Sequence, residues 1–454
     1  MPTTKPLRIA RSAAHQPLPD DAPVLEKRNR LAELLAEAAE FEHNVLCQYL
    51  FAACSFKRHP DEGGVSWQQL ECMRRWEAAL LGVARQEMEH LGLVNNMLTA
   101  IGEAPHLSRP NFPFASPYRS VEVPFTLTPF SRETLRRFIC LEMPSELSPA
   151  NEKWLAKKIP GFAVSRFDGL VELYTEIGRL FGQIDEAILF VGPRTAQFHT
   201  LEIIPGSSIR GVPMSDRMPR YNVMMLPVTD RQSALDAVNQ ITSEGEGASV
   251  DSTNSHFYTF LSMYKELDAA LRADRGFAPA RGVGPNPILV GDIAAAATEP
   301  TTLINNPPAV LLSRLFDASY STMMLILLRY FTHTDETQAQ LDALQQAAFF
   351  PLMTAVIRPL AEVLTGLQAS PGSPALRAGP AFRFPLRLAF LPHRKAAWKV
   401  IDMQLKLMTD LAGQAQRDPD FSEPARRRLA MIYQNIARIA MAFEENMQMR
   451  QSHD

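Results

Sequence analysis

Glu87 and His90 stand three residues apart in Ala84-Arg85-Gln86-Glu87-Met88-Glu89-His90-Leu91, inside a stretch with helical periodicity. Three residues make about one helical turn, so the carboxylate and the imidazole share a face. Val83, Glu87, His90, Val94 and Met97 recur at alternating steps of four and three, the rhythm of a buried stripe. Two metal-ligand side chains thus occupy positions that packing assigns to apolar residues. Burying them without partners costs on the order of several kcal/mol, and one bound metal ion satisfies both. Upstream, the stripe Leu31, Leu35, Ala38, Val45, Tyr49, Ala52 and Phe56 runs through Glu42, while Glu33, Glu37, Glu40 and Asn44 follow another face. A Glu from one helix joined to Glu-x-x-His from another is the ligand pattern of di-iron carboxylate bundles. The plainer reading of Glu42 is a buried carboxylate paired with an arginine or with Tyr49. His43 lies one residue's rotation off the stripe and is left outside the ligand set.

The elements that must position these groups are helical. The first spans roughly Leu25 to Lys57 and the second roughly Trp67 to Ala100, joined by the turn His59-Pro60-Asp61-Glu62-Gly63-Gly64. A proline-punctuated crossover from Pro105 to Pro129 is long enough to run the length of a bundle. Ser131-Arg132-Glu133 opens a short helix that closes at Met143-Pro144, and another covers about Phe167 to Phe190. Residues Val191 to Pro227 read as irregular. The segment Asp230 to Leu271 is interrupted by Glu244-Gly245-Glu246-Gly247, after which His256, Phe260, Tyr264, Leu267 and Leu271 share a face. His256 is a second imidazole on an apolar stripe; taken singly, it reads as a satisfied core histidine. The division that follows is a flexible arm over 1–24, a metal-binding domain over 25–275, a Gly-, Pro- and Ala-rich linker over 276–308 and a C-terminal helical domain over 309–454. The last has helices near Val310 to Phe331, Glu336 to Leu367, His393 to Gln416 and Glu423 to Met449, and no clustered ligands. The expected class is all-α.

Composition narrows the function. A net charge of -3 and a pI near 6.4 give no electrostatic reason to expect nucleic acid. The four cysteines form no C-x-x-C pair and no disulfide-like array, which points to a reducing, cytoplasmic setting. No secretory signal is expected in Met1 to Pro23, and the apolar run Met323 to Leu328, closed by Arg329, reads as too short to span a membrane. No dinucleotide fingerprint is present, which leaves a separate reductase or a four-electron oxidation of the substrate as the source of electrons.

Four segments carry a family resemblance: Glu40-Phe41-Glu42-His43 through Tyr49-Leu50; Gln86 to Leu91 with Asn96-Met97-Leu98 and Ala100-Ile101-Gly102; Phe138 to Pro144; and Glu244 to Gly247 with Ser255-His256-Phe257. Ala378-Gly379-Pro380-Ala381-Phe382 is a weaker echo. Together they resemble the ferritin-like proteins related to the iminophenyl-pyruvate dimer synthase of violacein biosynthesis. The resemblance implies a ferritin-like four-helix bundle with long crossovers around an iron centre, in a pathway to a specialised metabolite. It also implies a third-helix carboxylate, for which Glu172 is taken, with Glu142 and Glu176 as alternatives. A standard fourth helix would carry Glu-x-x-His, but Thr253 stands three before His256. Glu246, inside the family motif, is taken as the missing carboxylate, with Glu244 as the alternative because it better continues the stripe through Val238 and Ile241.

The expected ligand set is therefore Glu42, Glu87, His90, Glu172, Glu246 and His256. Four carboxylates offset most of the charge of two ferrous ions, and two imidazoles leave positions for dioxygen and substrate. The leading functional expectation is a non-haem di-iron, oxygen-dependent oxidase or oxygenase acting on an amino-acid-derived or carrier-tethered small molecule. Met88, Tyr49, Phe260 and Tyr264 are expected either to wall its pocket or to be plain core. The alternative is an imine-coupling enzyme without oxygen activation. Iron oxidation and storage ranks lower, because a storage cage uses compact single-bundle subunits. A homodimer is one expected assembly.

Overall fold

The computed structural model describes residues 17–114, 124–144, 146–158, 168–185, 228–245, 255–291, 299–332, 336–384 and 388–448. Two long helices form the spine, α1 (Val24–Cys54) and α2 (Trp67–Ala100). Ser66 caps α2 by accepting from the Gln69 amide, and the Gln69 side chain returns the bond in a capping box. The two helices run antiparallel: Arg28 donates to the Ile101 carbonyl (2.8 Å) at one end, and Arg58 pairs with Glu77 (2.7 Å) at the other.

The remaining two faces of the bundle are each built from a pair of shorter helices. α3 (Arg132–Leu141) lies antiparallel to α7 (His256–Ala273), fastened by Arg132 to Asp268 (3.1 Å) and Arg136 to the Tyr264 hydroxyl (3.1 Å). α5 (Asp168–Gln183) lies along α1 and against α6 (Arg231–Glu244), where Arg231 donates to the carbonyls of Phe181 and Ile184. A small helix, α4 (Pro149–Lys158), follows α3. Ser131, Asp230 and Ser255 cap α3, α6 and α7, each accepting from an amide three residues on. These caps fix where each short helix starts. Consequently Glu142 at the end of α3, Glu244 at the end of α6 and His256 at the start of α7 all sit at helix breaks. Val191 to Pro227, expected to be irregular, lies outside the described residues.

The stretch 276–308 carries a small two-stranded sheet rather than only a wrap: β1 (Pro287–Leu289) pairs parallel with β2 (Thr302–Ile304), in register Pro287 to Thr302. Buried Asn286 ties it to the crossover, its side chain accepting from the Leu127 amide at 2.7 Å. Beyond it, α8 (Pro307–Thr332) is followed by α9 (Gln338–Ala347), a π-helical segment over Ala348–Ile357, α10 (Arg358–Leu364), α11 (Arg394–Arg417) and α12 (Glu423–Gln448). Pro351 lies inside the π segment, where its missing N–H is accommodated by widening the turn.

The length argument against a membrane span does not hold for α8. At 26 residues it is long and apolar enough to cross a bilayer, but its most apolar window is 72 % buried inside the protein, as expected of a core helix. Tyr320 of α8 reaches α1 directly. Its hydroxyl bonds His43 Nε2 and lies 3.2 Å from Cys47 Sγ, while His43 Nδ1 bonds the Leu107 carbonyl at 2.9 Å. The Ala378–Phe382 segment lies on the same helix; a Cβ at Gly379 would come within 2.9 Å of the Phe51 ring, so only glycine permits this approach.

Candidate metal centre

Within the bundle, α1 contributes Glu42, α2 contributes Glu87 and His90, the end of α3 contributes Glu142, and the start of α7 contributes His256. All five are buried. Their donor atoms form two triads, Glu42–Glu87–His90 and Glu87–Glu142–His256, which share Glu87. His90 Nδ1 lies 3.1 Å from Glu87 Oε2 and 3.5 Å from Glu42 Oε2. His256 Nδ1 lies 2.9 Å from Glu87 Oε1 and 3.3 Å from Glu142 Oε2. Each oxygen of Glu87 thus faces a different imidazole, and the two rings stack 5.6 Å apart.

The two triads are supported alike. Tyr174 of α5 donates its hydroxyl to Glu42 Oε1, and Tyr49 of α1 donates to Glu142 Oε1. Tyr49 is itself held by the rings of Phe138 and Phe260 at 4.6 and 4.9 Å. On the outer side, Glu244 Oε2 lies 3.5 Å from His90 Nε2, Gln86 Oε1 lies 3.3 Å from His256 Nε2, and Gln86 Nε2 donates to Glu244 at 3.0 Å.

Burial and mutual charge set the protonation of this cluster. Burial, with the Glu87 charge beside it, pushes Glu42 up to about 7. Burial works against a charged His256, yet Glu87 and Glu142 outweigh it and raise the imidazole to about 10. His90 is likewise raised well above the usual range against its burial, by Glu244, Glu42 and Glu87. Glu87 is held low despite burial, chiefly by the charge of His256. Positive charge is what these carboxylates demand. A divalent cation would supply it in place of the two imidazolium protons, which would be released on binding.

The residues fit such a cation on a further observation. Glu42 Oε2 and Glu87 Oε1 are buried with no hydrogen-bond partner of acceptable geometry, a costly arrangement for a purely structural cluster. Three carboxylates and two Nδ1 atoms, with Glu87 placed between the halves, form a hard-oxygen and imidazole donor set of the kind that takes iron or manganese.

The structure brings Glu42, Glu87, His90 and His256 together, with Glu142 as the third-helix carboxylate. Glu172 needs correction: it is exposed on α5, whose buried face carries Leu173, Tyr174, Ile177 and Phe181, so its side chain points away from the cluster. Glu176 is bonded to Arg179 at 2.5 Å. Glu246 lies outside the described residues, and Glu244 approaches the outer edge of His90 rather than the shared interior. His43, by contrast with its neighbour Glu42, faces Tyr320. The sequence reading missed Tyr174 and Gln86 as supports; Gln86 could have been found, since it lies four residues, one turn, before His90.

Helices that present carboxylates and histidines inward to one buried cluster define the class of carboxylate- and histidine-lined helical bundles. The ferritin-like family profile matches residues 35–265, and the chain belongs to that family. Among curated relatives, it is 28 % identical to a dichlorochromopyrrolate synthase of Lentzea aerocolonigenes, over 87 % of this chain and 40 % of the relative. It is 29 % identical to a 2-imino-3-(indol-3-yl)propanoate dimerase of Chromobacterium violaceum, over 80 % of this chain and 34 % of the relative. The chain therefore spans well under half the length of either enzyme. A ferritin-like protein of Caulobacter vibrioides aligns over 70 % of this chain and 93 % of its own, with a TM-score of 0.37 and 18 % identity, a likeness too loose to bear on the fold.

Proposed function

We propose that this protein is a non-haem di-iron oxidase or oxygenase acting on an amino-acid-derived imine on the way to a specialised metabolite. The observation that supports it most is the pair of buried triads sharing Glu87. Two irons bound there would supply the reduction of dioxygen. The chain's own residues have separate tasks. Tyr174 and Tyr49 each hold one oxygen of a terminal carboxylate, which leaves the other oxygen to face the centre. The Tyr49, Phe138 and Phe260 rings keep one side of the site dry, which suits a reaction with reactive oxygen products.

The name of the Chromobacterium violaceum relative suggests the substrate class, an imino acid bearing an indole ring. Two such molecules, reacting as their enamine tautomers, form one new carbon–carbon bond and give up two protons and two electrons. Dioxygen accepts both and becomes hydrogen peroxide. Oxidation and coupling are then one reaction, and coupling without oxygen is the second reading, which requires a different electron acceptor.

The test uses the full chain loaded anaerobically with ferrous ion and supplied with indole-3-pyruvate and ammonia, which equilibrate with the imine. Expected are about two irons per chain by metal analysis and Mössbauer spectroscopy, and one dioxygen consumed per coupled product. Undiminished product formation under argon would transfer the assignment to oxygen-independent coupling, and a chain that takes up no iron would remove the metal centre altogether.

A further inference from the structure

Among the described residues, the two halves of the centre match on every side but one. Each has a terminal glutamate bonded by a tyrosine, an imidazole turned inward by Nδ1, and a share of Glu87. The outer nitrogens differ: His90 Nε2 faces a carboxylate, Glu244, at 3.5 Å, whereas His256 Nε2 faces the amide oxygen of Gln86 at 3.3 Å. The amide of Gln86 then donates to Glu244 at 3.0 Å, which fixes the orientation of both groups. An imidazole cannot give both nitrogens to one interior ion. Since Nδ1 of His90 faces Glu42 and Glu87, Glu244 acts on the outer nitrogen and not as a ligand to the shared interior.

A carboxylate facing the outer nitrogen of a ligating imidazole, as Glu244 faces His90 Nε2 at ion-pair distance, makes that ring a stronger donor than an amide does. The charge distribution works in the same direction. Among the described residues, three carboxylates, Glu42, Glu87 and Glu244, surround His90, against two, Glu87 and Glu142, around His256. We infer that Glu244 and Gln86 make the two metal positions unequal, so that the Glu42/His90 position fills first and holds its ion tighter, and the Glu142/His256 position is the exchangeable one. Glu244 and Gln86 are positioning residues that act through the histidines. The inference rests on the metal-centre reading above, and its test separates the two.

Cobalt(II) serves as the probe, titrated anaerobically into the full chain and followed by its visible absorption and by calorimetry. Wild type should bind in two resolved steps whose affinities differ by about 10- to 100-fold, the usual effect of an outer partner on a ligating histidine. Glu244→Gln, an isosteric change at a half-exposed helix end, should weaken the first step by about that factor and merge it with the second. Gln86→Glu should instead strengthen the second step and merge the pair at the tight end. Two steps that stay separate and unmoved in both variants would overturn the asymmetry while leaving the centre intact, as would a single step of two equal ions in wild type. A wild-type chain that binds no cobalt would overturn the centre itself.

Discussion

Two of the places where the described residues bury charge are built oppositely. In the C-terminal helices, Arg329 pairs with Glu336, donates further to the carbonyls of Leu391 and Pro392 at 3.2 and 3.3 Å, and Glu336 also accepts from the Trp398 indole at 3.4 Å. One cation meets one anion, and the surrounding backbone takes the spare donors. In the bundle, three buried carboxylates converge on two imidazoles, and donor atoms remain unbonded. A buried pair that is complete holds helices together; a buried cluster with surplus acceptors is shaped for something the chain itself does not contain.

Removing a shared ligand gives the largest expected break in this contrast. Glu87→Ala should abolish binding of both irons and all oxygen-dependent turnover, while circular dichroism shows helical content nearly unchanged. Retention of two irons in that variant would refute a metal role for the shared Glu87. Arg329→Met should do the reverse. Leaving Glu336 buried and unpaired costs about 3–5 kcal/mol, so the denaturation midpoint should fall steeply while folded protein keeps its full iron content. A loss of iron in proportion to stability would show that the two regions are not separable.

A smaller effect is expected from Asp317 on α8, which is buried and accepts from the Arg383 amide at 3.2 Å. Burial pushes its carboxyl up to about 7. The folded state therefore holds a proton that the unfolded chain releases near pH 3.9. Its favourable contribution is full below that value and is lost as pH rises to about 7. Asp317→Asn should remove this slope, so that urea unfolding at pH 5 and pH 8 differs less in the variant than in wild type. An identical difference in both proteins would exclude Asp317 as its source. The smallest effect belongs to Glu172→Gln, which should leave iron content, affinity and stability unchanged. Any loss of iron there would mean that α5 presents a different face from the one described.

Periodicity made Glu42, Glu87, His90 and His256 visible, because a polar group on a long apolar stripe breaks a pattern that many neighbours define. Glu142 was harder, since it follows the last turn of a ten-residue helix and no stripe continues past it. Glu172 shows the opposite failure. Its own helix placed it opposite the stripe Leu170, Tyr174, Ile177, Phe181 and Ile184, and the family resemblance drew it into the ligand set against that signal. The tyrosine supports were illegible for a different reason: Tyr49 and Tyr174 lie on apolar stripes as any core aromatic would, and only the three-dimensional crossing of α1 with α3 and α5 directs their hydroxyls to Glu142 and Glu42. The helices of the C-terminal part were readable to within about three residues at their ends, but not the π-helical break inside the expected Glu336–Leu367 helix, nor the contact of Tyr320 with His43, which joins positions 277 residues apart.

That contact bears on how the chain can be cut. Glu42 looks into the bundle and His43 looks out of it, yet both are fully buried, because α8 and the Gly379 segment cover the outer side of α1. A fragment ending near residue 275 would keep every inward-facing donor and still leave bare a strip of α1 holding His43, Cys47 and Phe51. Its fate would be self-association rather than a minimal enzyme, and excision by sequence boundary would mistake half of a shared wall for an outside surface.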